Sequence, residues 1–401
     1  TGDFTAVSGE GYFINTTSGA ITMTLPASPS VGDIVSVKDY AQTFDSNNLT
    51  IGRNSQPIEG NTFDLVLDIE GLATTLVYGD ATKGWQSVNS NEITNTQKFV
   101  TAIGGTVTTC GDFKIHTFTG PGCFTVSCAG NAPGSNKVSY MVVAGGGGGG
   151  SAAGGGGAGG FREGKAPFCA PYTASPIACT SGSNAGLPVS AQSYPITVGG
   201  GGAGGAAGND NAGSDGVNSV FSTITSTGGG GGESYGIGVR SGGSGGGASP
   251  TSGGRTGGAG NTPPVSPPQG NPGGPHTNPS PTANYSGTGG GGATAAGPSV
   301  STPNTAGPGG AGATTSISGS PTAYAGGGGG STLCSGTAGT GGTGGGADGK
   351  NGASSPYVGN NGTANTGGGA GAGTSPCFAG PTRGGGGTGG SGVVIIRYKF
   401  Q

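Results

Sequence analysis

The 401-residue sequence predicts an all-β chain in two parts: a small N-terminal β domain, expected to pack as a trimer, then a β base that carries a body of threefold polyglycine-II helices. Three observations point there. No stretch of any length keeps the 3.6-residue apolar period of a helix. Short β-branched and aromatic segments recur about every 8–14 residues in the first part, with turn residues between them. Glycine supplies 101 residues, about a quarter of the chain against roughly 7% in an average protein, in runs framed by apolar strands.

The N-terminal strands are legible one by one. Tyr12-Phe13-Ile14, Ala20–Leu25, Asp33–Val37, Leu49–Ile51, Leu65–Leu67, Thr74–Tyr78 and Trp85–Val88 are β-rich and partly alternating. The unit is small and turns many Thr and Ser outward. Three copies about an axis would bury more apolar area than one copy can. The second part opens with Lys114–Phe118, Cys123–Val126 and Lys137–Val143 and closes with Val393–Phe400. The opening and closing strands are its most apolar segments and are expected to pair in one sheet. The expected boundaries are 1–95 for a sandwich or barrel-like domain, 96–144 for the opening strands, 145–390 for the glycine-rich body with its variable loops, and 391–401 for the closing strand.

The body contains contiguous glycine runs, among them Gly145–Gly150, Gly154–Gly157, Gly199–Gly202, Gly228–Gly232, Gly289–Gly292, Gly326–Gly330 and Gly384–Gly387. Collagen requires glycine at every third position, which these runs do not keep. A chain with three residues per turn makes no internal hydrogen bonds, so every buried N–H and C=O must find a partner on a neighbouring strand of chain. Residues without Cβ let neighbours approach closely enough to supply one. The penalty for ordering glycine, roughly 0.5–1 kcal/mol per residue beyond alanine, leaves two readings: a cooperative sandwich of such helices, or disorder.

Composition narrows function. Charged residues make up 8% of the chain and the formal net charge is −3, with no basic patch dense enough for nucleic acid. His116 and His276 are far apart in sequence, and no C-x-x-C pair is present, so no metal site and no cofactor are expected. No apolar run reaches the roughly 18 residues of a membrane helix. No signal peptide pattern is visible, and the sequence begins at Thr1 rather than methionine. Gly344–Lys350 fits G-x-x-x-x-G-K, but Asn351 stands where a phosphate loop needs Ser or Thr. Paired carboxylates for glycoside cleavage are scarce in residues 151–390, which hold five acids with only Asp210 and Asp215 close in sequence, and the eleven acids of the first 100 residues, including Asp64, Asp68 and Glu70, read as a solvated strand face. The chain is expected to be non-enzymatic. Seven cysteines allow the local disulfides Cys123–Cys128 and Cys169–Cys179 and the longer Cys334–Cys377, with Cys110 left over. Seven small buried thiols without bridges is the other reading.

Val138–Ala144 running into six glycines, Ser193–Val198 and Phe221–Thr227 before further runs, and the ending Gly389–Tyr398 resemble the glycine-rich domain of phage tail-fibre adhesins over about residues 110–401. Asp33–Asp39 and Asp80–Trp85 resemble a small β domain of marine phage structural proteins. The resemblance implies a virion-surface protein, often trimeric, whose polyglycine core holds up loops that contact a host receptor, either a polysaccharide or an outer-membrane protein. Other fibre or tail proteins would be its further partners. The Pro-rich segment from Asn261 to Tyr285 departs from that pattern. Segments 161–195, 233–288, 331–338, 347–366 and 374–383 interrupt the glycine runs, and loops on rigid scaffolds commonly carry function. Their aromatics Phe168, Tyr172, Tyr235, Tyr285, Tyr357 and Phe378 are the receptor-contact candidates. Each could instead plug its own glycine layer. A purely structural virion component and a bacterial glycine-rich surface filament are the competing functional readings.

Overall fold

The computed structural model describes residues 2–88, 99–130, 135–167, 172–182, 185–208, 210–235, 238, 240–250, 254–277, 286–302, 304–333, 336–353, 355–376 and 383–401. Among them there is no α-helix, and the chain is all-β. It divides into two compact units, Thr1–Phe99 with Gly130–Ser135, and Val100–Ala129 with Asn136–Gln401.

The first unit is a pair of four-stranded sheets. One holds β1 (Phe4–Thr5), β3 (Ile21–Thr24), β5 (Leu49–Gly52) and β6 (Leu65–Leu67); the other holds β2 (Glu10–Ile14), β4 (Ile34–Asp39), β7 (Ala73–Asp80) and β8 (Gly84–Ser87). The chain alternates between the sheets up to β5, so β1, β3 and β5 run parallel, as do β2 and β4. Strand alternation then sends every second side chain inward. Met23, Leu25, Val35, Val37, Phe44, Leu49, Ile51, Leu67, Leu76 and Trp85 form the core.

The second unit is built on a base of two further sheets. The first contains β10 (Thr106–Cys110), β11 (Phe113–Phe118), β21 (Val393–Lys399), β13 (Lys137–Val143) and β14 (Phe161–Gly164), in that order, with β15 (Leu187–Pro188) also on β13. The second contains β18 (Ile224–Ser226), β17 (Ser219–Phe221), β16 (Ser193–Thr197), β12 (Gly122–Ala129) and β9 (Val100–Ile103). A separate hairpin joins β19 (Ala313–Thr315) to β20 (Thr322–Tyr324). The opening and closing strands do pair: Val142 faces Val394 and Tyr140 faces Ile396. One face of this pair, with Tyr140, Val142, Ile396 and Tyr398, packs on Phe124, Val126, Tyr194 and Phe221. The opposite face, with Met141, Val143, Val393 and Ile395, packs on Ala158, Phe161, Ile317 and Tyr324. Strands covered on both faces read as unbroken apolar runs, which is why these two stand out in the sequence.

The base recruits more chain than residues 96–144 and 391–401. Segment 161–195, expected to be a loop, supplies β14, β15 and most of β16. Its apolar residues Phe161 and Tyr194 belong to the base cores.

Candidate functional site

The scaffold of any site here is the glycine body, and its geometry can be read from its hydrogen bonds. Run 145–150 leaves β13 directly. Its N–H groups donate in strict rotation to three antiparallel neighbours. Gly145, Gly148 and Ser151 bond the carbonyls of Val217, Ser214 and Asn211; Gly146 and Gly149 bond those of Gly390 and Gly387; Gly147 and Gly150 bond those of Gly157 and Gly154. Its carbonyls accept with the same period from three parallel neighbours: Gly145 and Gly148 from Gly229 and Gly232, Gly146 and Gly149 from Gly202 and Gly205, Gly147 and Gly150 from Ala370 and Gly373. A three-residue repeat with no internal bonds is polyglycine-II geometry. The run is a hub with six neighbours and every N–H and C=O used. At about 3.1 Å per residue it is about 19 Å long.

This packing excludes side chains. A Cβ built on Gly146 or Gly149 would fall far inside contact distance of the carbonyl oxygen of Gly368 or Gly371. At the rim the exclusion lifts every third residue. Gly200, Ala203 and Ala206 are exposed while Gly199, Gly202 and Gly205 are buried, and Thr337, Thr340 and Thr343 are exposed while Gly339 and Gly342 are buried. The Ala and Thr residues within these stretches therefore mark the solvent face of an outer helix, a period present in the sequence.

The helices end away from the base in a layer of small polar side chains. Ser151 Oγ and Ser234 Oγ are 3.1 Å apart, and the Ala153 N–H donates to Ser331 Oγ at 3.0 Å. Thr374 Oγ1 donates to the Thr332 carbonyl at 2.6 Å. Glu233 is buried, pairs with Arg255 and accepts the Ser249 N–H at 2.9 Å. His276 pairs by backbone with Arg255 and Val300, and burial pushes its imidazole below the usual range. These groups close the open ends of the helices, where N–H and C=O would otherwise lose their partners.

Three of the six candidate aromatics, Phe168, Tyr285 and Phe378, lie outside the described residues. The other three do not converge. Tyr235 and Tyr357 are half-buried and belong to the far end. Arg383, which pairs with Asp210, stands 4.7 Å over the Tyr235 ring. The Tyr357 carbonyl accepts from the Thr374 N–H at 2.9 Å. Tyr172 is instead at the base and only 6% exposed, packed with Met141, Phe161 and Ile317. It is a core residue rather than an outward anchor, and its ring lies under two cations, Lys165 seven residues earlier and Arg397 far along the sequence.

The acids of residues 151–390 are all engaged by the protein itself. Glu163 accepts from Ser175 N–H and Thr315 Oγ1, and Asp215 accepts from Gly231 N–H and pairs with Arg240. Asp210 pairs with Arg383 and Glu233 with Arg255. Asp348 accepts from Gly341 N–H at 2.7 Å. The G-x-x-x-x-G-K stretch is a glycine-body strand of chain: Gly349 and Lys350 donate to Gly339 and Ala372 carbonyls. The cysteine pairing needs correction. Cys123 and Cys128 share β12 and are free thiols. Five residues of extended strand separate them by about 16 Å, beyond the roughly 7 Å a disulfide spans. Cys179 is also a free thiol, as is Cys110. Cys169, Cys334 and Cys377 lie outside the described residues.

A family model described as a glycine-rich domain matches residues 119–399. The chain belongs to this glycine-rich domain family. A comparison with curated proteins finds no match. The glycine-rich domain starts just before β12 and ends on Lys399, the last residue of β21. It therefore takes in the closing strand, the whole hub and every outer helix described above, while Thr1–Phe99 of the first unit lies outside it.

Proposed function

We propose that the protein is a bacteriophage tail-fibre adhesin that attaches the virion to the host cell surface through loops held by the glycine body. The observation that supports this reading most is the hub. Its six neighbours fix the body through backbone alone, so the segments between helices can vary without disturbing what holds them. The far end presents Tyr235, Tyr357 and Arg383 at the surface of that rigid frame. A homotrimer is part of the proposal, and the first unit supports it: Phe13 is 76% exposed and lies with Ile34 on the outer face of the β2–β4–β7–β8 sheet. The protein acts without catalysis in this reading, each acid of the body being spent on structure.

The test is binding of the purified 401-residue protein to intact cells of strains that the corresponding phage infects, beside a Tyr235→Ser/Tyr357→Ser variant with an unchanged melting curve. Binding that falls with the two substitutions supports a receptor surface at the far end. No binding by the unaltered protein to any such strain moves the reading to a purely structural virion component. Light scattering on the same sample measures the mass, and a monomer at micromolar concentration removes the trimer.

A further inference from the structure

Between Arg240 and Asp348 the sequence carries one side chain with a full charge, Arg255, and one histidine, His276. The fold sets these two directly opposite each other at the far end. The Arg255 N–H donates to the His276 carbonyl at 2.9 Å, and the His276 N–H donates to the Arg255 carbonyl at 2.8 Å. Residues that exchange both bonds across an antiparallel pair send their side chains to one face, with Cβ atoms about 5 Å apart. The Arg255 guanidinium pairs with the Glu233 carboxylate. His276 is 2% exposed, and neither of its ring nitrogens has a hydrogen-bond partner in the protein.

A neutral imidazole fits this place and a protonated one does not. A buried charge needs a partner, and the carboxylate that Arg255 holds has both oxygens taken, one by Arg255 and the other by the Ser249 N–H at 2.9 Å. The other segments bonded to 272–277 are 246–250, 286–289 and 297–301, and they hold no titratable group. A proton on His276 would therefore stand beside Arg255 with no anion of its own, and like charges directly opposite destabilise a pair. Burial holds the imidazole below its usual range, so the open form takes the proton more readily than the closed one. Closure is whole above about pH 6.5 and is lost progressively as pH falls below it. We propose that the Arg255–His276 pair is an acid-sensitive latch: it joins segments 254–258 and 274–277 at neutral pH, and protonation of His276 opens them. The bond from the Thr277 N–H to the Val300 carbonyl, at 3.1 Å, opens with it. The latch goes beyond the adhesin reading and does not rest on it; where the far end contacts a receptor, it makes that contact sensitive to pH.

Hydrogen exchange of the full 401-residue protein at pH 7.5 and pH 5 tests it, corrected for the intrinsic effect of pH on exchange. The amides of Arg255, His276 and Thr277 lose protection at pH 5 several-fold, and at most about thirtyfold, the limit set by the ordinary histidine pKa. The amides of Gly146 and Gly149 in the hub keep theirs. His276→Gln, which cannot take the proton, holds the same protection at both pH values. Imidazole NMR spectra of the unaltered protein read the event directly. The chain has two histidines, so the signals absent from either His276→Gln or His116→Gln assign both, and His276 titrates below its usual value. Protection unchanged at pH 5, an equal loss in the hub, a loss as large in His276→Gln, or a His276 that titrates at or above its usual value each overturns the latch. Opening in acid without cell attachment leaves the latch and removes the adhesin reading; cell attachment with a latch that stays shut does the reverse.

Discussion

Phe124 in the base and Gly146 in the body are both fully enclosed, by opposite means. Phe124 is held by what its side chain touches: His116 at 5.1 Å, Phe221 at 6.0 Å and Tyr398 at 6.1 Å between ring centroids. Gly146 is held because it has no side chain. Its N–H bonds Gly390, its carbonyl bonds Gly202, and a Cβ would collide with Gly368. In the base, the backbone bonds within sheets and the side chains exclude water between them. In the body, the backbone does both. Order in the base therefore depends on side-chain volume, and order in the body on its absence.

The largest way to break that comparison is to add a methyl group in the hub. Gly146→Ala or Gly149→Ala pushes a Cβ into backbone oxygen on a neighbouring helix that has no free space to move into. A loss of about 4 kcal/mol or more is expected, seen as loss of the cooperative melting transition of the second unit in calorimetry. A result under about 1 kcal/mol would mean that the helices slide apart easily and that the hub is not rigid. The converse change, Phe124→Ala, removes volume from the base and is expected to cost about 3–5 kcal/mol, read as a lowered midpoint in denaturant. The same truncation has no counterpart in the hub, which has nothing to truncate.

Legibility in the sequence follows the same division. Alternation marks the inward residues of β2 to β8, and the unbroken apolar runs of β13 and β21 identify partners some 250 residues apart. Glycine runs identify threefold helices, because chains without Cβ can approach closely on every side, with a methyl admitted at buried positions such as Ala370 and Ala372. They do not say which run neighbours which, since a glycine carries no pattern that one neighbour could read and another could not. The outward positions were nevertheless written in Ala203, Ala206, Thr337, Thr340 and Thr343, a period of three at the rim. The site was less legible. Tyr172 is one of few aromatics in its segment, but only the fold brings Arg397, more than 200 residues later, onto its ring. The spacing of Cys123 and Cys128 suggested a bridge that an extended strand forbids.

A smaller effect is set by pH, at His116 in the base, with His276 in the body shifted the same way. His116 lies in the base core, where its Nδ1–H donates to the Gly104 carbonyl at 2.7 Å and its Nε2 accepts from Tyr398 Oη at 3.0 Å. Burial pushes the imidazole below the usual value near 6.5, while burial pushes the Tyr398 hydroxyl up to about 12. A depressed folded pKa means that the unfolded chain binds the proton more readily. The contribution is therefore whole above about pH 6.5 and is lost as pH falls below it. Melting temperatures between pH 7.5 and pH 5 fall less in His116→Gln than in the unaltered protein. Parallel curves would show that the imidazole titrates alike in the folded and unfolded chain, and a steeper fall in His116→Gln that it is charged in the fold.

The smallest effect is the sharpest discriminator, because it uses two adjacent residues of one run. Gly200 faces open space, with no atom within 4 Å of an added Cβ, and its φ lies outside the left-handed region. Gly201 points its missing Cβ at the Gly389 carbonyl. Gly200→Ala extends the outward series of Ala203 and Ala206 by one turn and is expected to stay within about 0.5 kcal/mol of neutral, or to stabilise slightly by narrowing the unfolded ensemble. Gly201→Ala, one residue on, is expected to destabilise by several times as much. Thermal melts of the two variants side by side decide whether the threefold register holds at the rim as it does at the hub. Equal losses would mean that this outer run has slipped by a residue relative to its neighbours, since a one-residue slip exchanges the open position for a closed one.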